Sequence, residues 1–324
     1  MNFLKLLNYV GKLHRGTLIS VRHYTPRRAL MYVPGDDIRK LSKAFTLNVD
    51  CITMDCEDGV ALNKKETARN TIRNILDTEK NVVKRNYDRA VRVNPVTSEF
   101  CQCDLRAVLT AKYLPDTILL PKVDDKEQLK WFLDQVNSLI IERKEIIDLI
   151  IYVESAVGVI NFYDNCKYAI ELSQTGKISL AGVVFGSDDL CASIGITRSS
   201  DGAELLYARQ KIVLISKAFN LQAIDMVHID YKDLAGLKKY AEQGAQMGYT
   251  GKQVIHPDQI PIVQDAFLPS KRQVEWATGL LESFQEHQLK GKGAFVYKGN
   301  MIDMPTMKQA QNVMDIFKLT SSNV

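Results

Sequence analysis

The sequence predicts an α/β protein, a (β/α)8 TIM barrel with a C-terminal helical extension or lid, and three observations point there. Eight short apolar runs recur along the chain, a helix-compatible amphipathic segment follows each, and the residues closing the runs are unusually polar. Repeated switching from a strand period to a helix period marks βα units, and eight such units close a parallel barrel. An open doubly wound sheet would carry a glycine-rich phosphate turn after its first strand, and Tyr32-Val33-Pro34-Gly35-Asp36 is not one.

In chain order the apolar runs predict strands at 29–33, 51–54, 90–93, 117–120, 149–153, 182–185, 222–227 and 253–255. Helices are predicted between and after them at 37–47, 64–76, 104–112, 125–142, 157–172, 204–219, 232–247 and 258–267. Beyond the eighth unit come a long helix over 272–289, a glycine-bearing turn at Gly291-Lys292-Gly293, a short apolar stretch and a final helix from Pro305. The glycine turn is too short for a nucleotide loop and reads as a hinge. The expected organisation is a leader over 1–27, a barrel over 28–268 and a lid and oligomerisation extension over 269–324.

The leader stands apart in charge. Lys5, Lys12, Arg15, Arg22, Arg27 and Arg28 all precede the first acidic residue, Asp36, and Phe3, Leu4, Leu6, Leu7, Val10 and Leu13 are interleaved with them at helical spacing. This is the composition of a mitochondrial transit peptide, unlike the unbroken apolar run of a membrane span, and Arg22-His23-Tyr24 resembles a matrix-processing site. Removing those six cations turns the formal +4 of the whole chain slightly negative, so no basic nucleic-acid surface is expected and no membrane partner either. With 46% hydrophobic and 25% charged residues, the chain can bury a sizeable core. Its six cysteines contain no C-x-x-C pair and read as reduced, structural residues, which suits a matrix thiol pool.

In a barrel of this class the chemistry sits at the carboxyl ends of the strands. Those ends read Pro34-Gly35-Asp36, Asp55-Cys56-Glu57-Asp58-Gly59, Asn94-Pro95, Pro121-Lys122, Glu154-Ser155, Gly186-Ser187-Asp188-Asp189, His228 with Asp230, and His256-Pro257. Glu154 and Asp189 close neighbouring strands, near enough to share one cation. Two carboxylates with open positions suit Mg²⁺ and would let a hydroxy- or keto-acid complete the coordination. The residues alone allow a second reading equally well, in which both acids cap the helices that follow.

Arg92 lies inside an apolar run and needs a polar partner, either a substrate carboxylate or carbonyl or a structural acid such as Glu57 or Asp58. Lys122 could be a Schiff-base nucleophile, but among so many carboxylates a protonated, salt-bridged lysine is the expected state.

Several stretches together carry a resemblance: Leu30-Met31-Tyr32-Val33-Pro34-Gly35, Asp55-Cys56-Glu57-Asp58-Gly59-Val60, Val91-Arg92-Val93-Asn94, Val184-Phe185-Gly186, Tyr207-Ala208-Arg209-Gln210-Lys211, Gly251-Lys252-Gln253-Val254-Ile255-His256-Pro257 and Met301-Ile302-Asp303-Met304-Pro305. From about Arg28 to the last helix, the chain resembles the citrate lyase β-subunit-like family. The resemblance implies a homotrimeric, Mg²⁺-dependent lyase acting on a CoA thioester, converting (3S)-citramalyl-CoA to pyruvate and acetyl-CoA. It also implies the reverse condensation with glyoxylate and a malyl-CoA thioesterase side activity.

By the same resemblance Glu154 and Asp189 are metal ligands, Arg92 contacts the acyl group, and Tyr32, Arg39, Lys43, Ile255 and His256 line the coenzyme A site. Asp303 is the implied catalytic acid/base, with its pKa expected to be tuned by burial under the tail, and the C-terminal segment can close over a neighbouring subunit's site. The bland role for Asp303 is a cap on the helix at Pro305. Arg39 departs from the lysine of close relatives but keeps the cation. Two rival readings are a citryl lyase subunit working with an acyl carrier, against which the basic Arg39 and Lys43 lean, and a non-catalytic CoA-binding scaffold, against which the intact Arg92, Glu154, Asp189 and Asp303 argue.

Overall fold

The computed structural model describes residues 25–78, 86–173, 176–199, 201–289 and 295–321. The leader before residue 25, with Arg22-His23-Tyr24, and the turn Gly291-Lys292-Gly293 lie outside the described residues.

Eight parallel strands form a closed barrel in sequential order: β1 (Ala29–Pro34), β2 (Cys51–Asp55), β3 (Asp88–Arg92), β4 (Thr117–Leu120), β5 (Ile147–Val153), β6 (Ile178–Phe185), β7 (Gln222–Asp225) and β8 (Gly251–Val254). Closure is made by β1, which pairs Leu30 with Cys51 on one side and with Gln253 on the other. The helices around it are α1 (Ile38–Ala44), α2 (Lys65–Thr78), α3 (Cys101–Leu109), α4 (Lys126–Leu139), α5 (Ala156–Ser173), α6 (Ser187–Ile194), α7 (Leu206–Ala218), α8 (Leu234–Met247) and α9 (Gln259–Ala266). Every predicted strand is present. β6 starts at Ile178 rather than at 182, before a register shift against β5 between Leu149 and Ile150. The helix α6 was not expected, because its first turn, Ser187-Asp188-Asp189, reads as the polar end of a strand.

Alternation along the strands sorts the barrel interior into layers. Leu30, Cys51, Ala90, Leu119, Ile150, Val184 and Ile224 form an apolar middle, separate from the larger core between strands and helices. Two residues along each strand toward its carboxyl end, the same face presents Tyr32, Arg92 and Tyr152; two residues the other way, it presents Asp88, Thr117, Asp148 and Gln222. The second set forms a polar floor, and Arg27 plugs it. The buried Arg27 guanidinium pairs with Asp88, reaches Asp148 and Thr117 at 2.9 Å each, and the Thr25 carbonyl just before it accepts the Gln222 amide at 2.9 Å. Charge alone grouped Arg27 with the leader; in the fold it is buried against two carboxylates of the barrel floor.

The tail packs as a small unit. α10 (Lys271–Leu289) and α11 (Met304–Ser321) enclose Ala277, Leu280, Ile302, Met307 and Ala310. The predicted short apolar stretch is an antiparallel hairpin, β9 (Phe295–Tyr297) and β10 (Asn300–Ile302), turned through Lys298 and Gly299 at φ 47° and 84°. Consecutive left-handed residues match the strand twist of a two-residue hairpin loop. Among the described residues no helix is long and apolar enough to cross a membrane.

Candidate active site

At the carboxyl rim, β1 to β8 surround a cavity of about 410 Å³ lined by Tyr32, Asp55, Arg92, Tyr152, Glu154, Asp189, Gln253 and Ile255, among others. A larger cleft of about 580 Å³ lies between α8, α9 and the tail, lined by Tyr249, Phe267 and Val313, and holds none of the predicted site residues. The rim cavity, not this cleft, gathers predicted site residues.

Arg92 closes β3 and is nearly buried. Its Nε and Nη2 donate to the Asp55 carboxylate at 2.7 and 2.6 Å, and its Nη1 lies 2.8 Å from Glu57. Of the two acids weighed from sequence, Glu57 is the partner, and the stronger partner, Asp55, had gone unnoticed. Asp55 is itself pinned, accepting from the Glu57 and Gly59 amides at 2.8 and 2.9 Å. The Tyr32 ring lies against the guanidinium, 4.6 Å away, and its hydroxyl bridges the Tyr152 hydroxyl and Gln253 Oε1, at 2.5 and 2.9 Å. A guanidinium has five N–H bonds; three are used here, so the remainder can serve a ligand in the cavity that Arg92 lines.

Glu154 ends β5 and is buried, with Oε1 accepting the Lys122 amide at 2.5 Å. Burial, reinforced by Asp189 and Glu57, pushes its carboxyl up to about 8. Burial also raises the half-exposed Asp189, against the pull of Lys122. Two acids whose ionisation is suppressed side by side form a site that gains by taking a cation. Helix capping does not account for Glu154, since Ser155 caps α5 by accepting the Gly158 amide at 2.8 Å. Asp189 sits within the first turn of α6, a helix that no side chain caps. Gly186 between them is required, because a Cβ there would lie 2.4 Å from Glu154 Oε2.

Lys122 holds a left-handed backbone, φ 55°, and its ammonium lies 3.1 Å from Glu57, 3.7 Å from Asp189 and 3.9 Å from Asp58. Burial works against its charge, but these carboxylates outweigh burial and raise its pKa, so it is the protonated, salt-bridged lysine expected and not a nucleophile.

Of the predicted residues, the fold brings Tyr32, Arg92, Glu154, Asp189 and Ile255 to one cavity. Arg39 and Lys43 stand exposed one turn apart on α1, and His256 stacks on Tyr231 with ring centroids 4.9 Å apart. None of these three lines the cavity itself. Asp303 departs from expectation. It is exposed, not buried, and accepts from the Thr306 amide and hydroxyl at 3.0 and 2.7 Å, which hold its carboxyl below the usual range. Within one chain it is a helix cap outside the rim cavity, because α11 begins immediately after it.

Two carboxylates suit a hard cation that keeps most of its positions for water and ligand oxygens, as Mg²⁺ does. Among the described residues no group of three or more His, Cys, Asp or Glu side chains is arranged to hold a metal, which disfavours a zinc-type cage. Tyr152 and Gln253, missed from sequence, each occupy an inward position of a strand, aligned with Ile150 and Leu30 of the barrel interior.

Residues 28–257 match the HpcH/HpaI aldolase/citrate lyase family, a span that includes every rim residue above and stops short of the tail. The chain belongs to this family. Among HpcH/HpaI aldolase/citrate lyase relatives, the human mitochondrial citramalyl-CoA lyase is 47% identical over 90% of this chain and 86% of its own length. The citrate lyase β subunit of Haemophilus influenzae is 30% identical over 89% of this chain and 96% of its own. A crystal structure of the protein CitE from Mycobacterium tuberculosis with magnesium, acetoacetate and coenzyme A superposes with a TM-score of 0.71. It is 29% identical and covers 91% of this chain and 99% of that one.

Proposed function

We propose that this chain is a Mg²⁺-dependent lyase that cleaves (3S)-citramalyl-CoA to acetyl-CoA and pyruvate. The observation that carries the reading is the pairing of Glu154 with Asp189 in the cavity that Arg92 lines. The likeness to human citramalyl-CoA lyase over nine-tenths of the chain, and to a structure holding magnesium and coenzyme A, supports the same assignment.

Glu154 and Asp189 would hold the ion, which when bound supplies Lewis-acid stabilisation of negative charge developing on the substrate oxygens. Arg92, fixed by Asp55 and Glu57, orients the acyl group through its free N–H bonds. Arg39 and Lys43 meet the phosphates of coenzyme A, and Tyr32, Ile255 and His256 flank the thioester arm. The proton on the acetyl carbon is handled by Asp303. Its exposed position on the tail supports a reading in which the tails of a homotrimer cross between subunits. The basic leader and the likeness to a mitochondrial relative support a mitochondrial matrix location. Reverse condensation with glyoxylate and thioester hydrolysis of malyl-CoA are the accompanying activities.

The test is a mass-spectrometric assay of purified protein with Mg²⁺ against citramalyl-, malyl- and citryl-CoA. Citramalyl-CoA is expected to be consumed fastest. Fastest turnover of citryl-CoA would favour the citrate lyase reading instead, and no turnover of any thioester would defeat the lyase assignment.

A further inference from the structure

Lys122 is one of three non-glycine residues with positive φ among the described residues, and its position differs from the other two. Asn220 follows the end of α7 and Lys298 turns the β9–β10 hairpin. Lys122 instead stands at the rim, two residues after β4, where no turn of that kind demands a left-handed backbone. Such a conformation is disfavoured for side chains with a Cβ and marks a place where the surroundings impose it. Here the result is specific: the amide points to Glu154 Oε1, while the ammonium reaches Glu57, Asp189 and Asp58.

Lys122 stands beside the cavity, its ammonium within 4 Å of the lining residues Asp58 and Asp189. With Arg92 committed to Asp55 and Glu57, the Lys122 ammonium is, among the described residues, the cation that pairs with Asp189 within 4 Å.

We propose that Lys122 is a positioning residue for the cation site: its backbone amide orients Glu154, and its ammonium is a resident counter-cation to Glu57 and Asp189. A divalent ion is then held firmly only when an anionic substrate joins it. The inference rests on the assignment of Glu154 and Asp189 as the metal pair. Its physical basis is Coulombic. A fixed positive charge less than 4 Å from one metal ligand opposes a second cation, and an arriving carboxylate offsets that repulsion. The consequence is coupling between metal and substrate, so that the site takes up the ion chiefly together with its 2-hydroxy or 2-oxo acid.

The experiment is calorimetric titration of MgCl₂ into metal-free protein, with and without pyruvate as the probe acid, at pH about 9, where the carboxylates are ionised. Lys122→Met and Lys122→Gly both delete the ammonium and keep the amide. Both are expected to bind Mg²⁺ about fivefold more tightly without pyruvate, and to lose most of the tightening that pyruvate gives the wild type. Lys122→Val also deletes the charge, but a β-branched residue resists the left-handed backbone, so it should bind Mg²⁺ more weakly than Lys122→Met.

Unchanged or weaker Mg²⁺ binding by both Lys122→Met and Lys122→Gly overturns the counter-cation role, and equal affinities of Lys122→Met and Lys122→Val overturn the backbone role. The Glu154→Gln/Asp189→Asn double variant is the control. If it binds Mg²⁺ as the wild type does, the metal assignment fails, and this inference fails with it for a visibly different reason.

Discussion

Arg92 shows how one side chain serves both fold and function. Its charge is neutralised by Asp55 and Glu57, which makes its burial tolerable, and the same bonds fix the direction of its unused N–H groups. Lysine cannot reproduce that fork, so Arg92→Lys should keep the fold but lower kcat/KM for citramalyl-CoA by about 10–100-fold, read by steady-state kinetics against a far-UV circular dichroism control. Glu154 gives a pH signature. Its carboxyl rises from 4.5 to about 8 on folding, so between those values the folded state holds a proton that the unfolded state has released. This group therefore takes stability away as pH rises from 4.5 to about 8, with no further loss above. The raised Glu57 and Asp189 act in the same sense. Urea midpoints in EDTA should fall between pH about 5 and about 8, and Mg²⁺ should restore them most at the alkaline end. From sequence, the roles of these residues were legible only as alternatives. Arg92 needed a partner, but which acid it had depended on packing that no spacing reveals.

At the scale of elements, the turn from β6 into α6 sets the proposed metal pair. Gly186 lets β6 run close beside Glu154, and the chain then turns directly into a helix that carries Asp189 in its first turn. Gly186→Ala should push the Glu154 carboxylate aside and weaken Mg²⁺ binding by at least about tenfold in calorimetry, with the barrel still folded. The strands themselves were readable because each is a short apolar run closed by polar residues, and all eight overlap their predicted spans, with β6 beginning earlier at Ile178. What escaped was local. Helix α6 hides in an acidic stretch that looks like a loop, and the β9–β10 hairpin hides in a stretch too short to show alternation. Arg27 escaped because its partners, Asp88 and Asp148, lie far along the chain, and only barrel closure brings them beneath it.

For the whole molecule, the proposed reaction divides between the barrel and the tail. The rim holds Glu154, Asp189 and Arg92, whereas Asp303 sits exposed on a tail with a core of its own. If tails serve neighbouring cavities, two inactive variants should repair each other. Asp303→Ala keeps a competent rim and Asp189→Ala keeps a competent tail, so refolding an equimolar mixture should regain roughly a quarter of wild-type activity by random assembly of site and tail. Separate refolding should regain none, and a mixture that stays inactive would place Asp303 in its own chain's site. The central claim is that Glu154 and Asp189 hold the ion on which cleavage depends. It is tested most directly by following pyruvate release from citramalyl-CoA by wild-type and Asp189→Ala protein, each with Mg²⁺ and with EDTA. Release is predicted for wild-type protein with Mg²⁺ alone, and undiminished release in EDTA, or by Asp189→Ala, would contradict it.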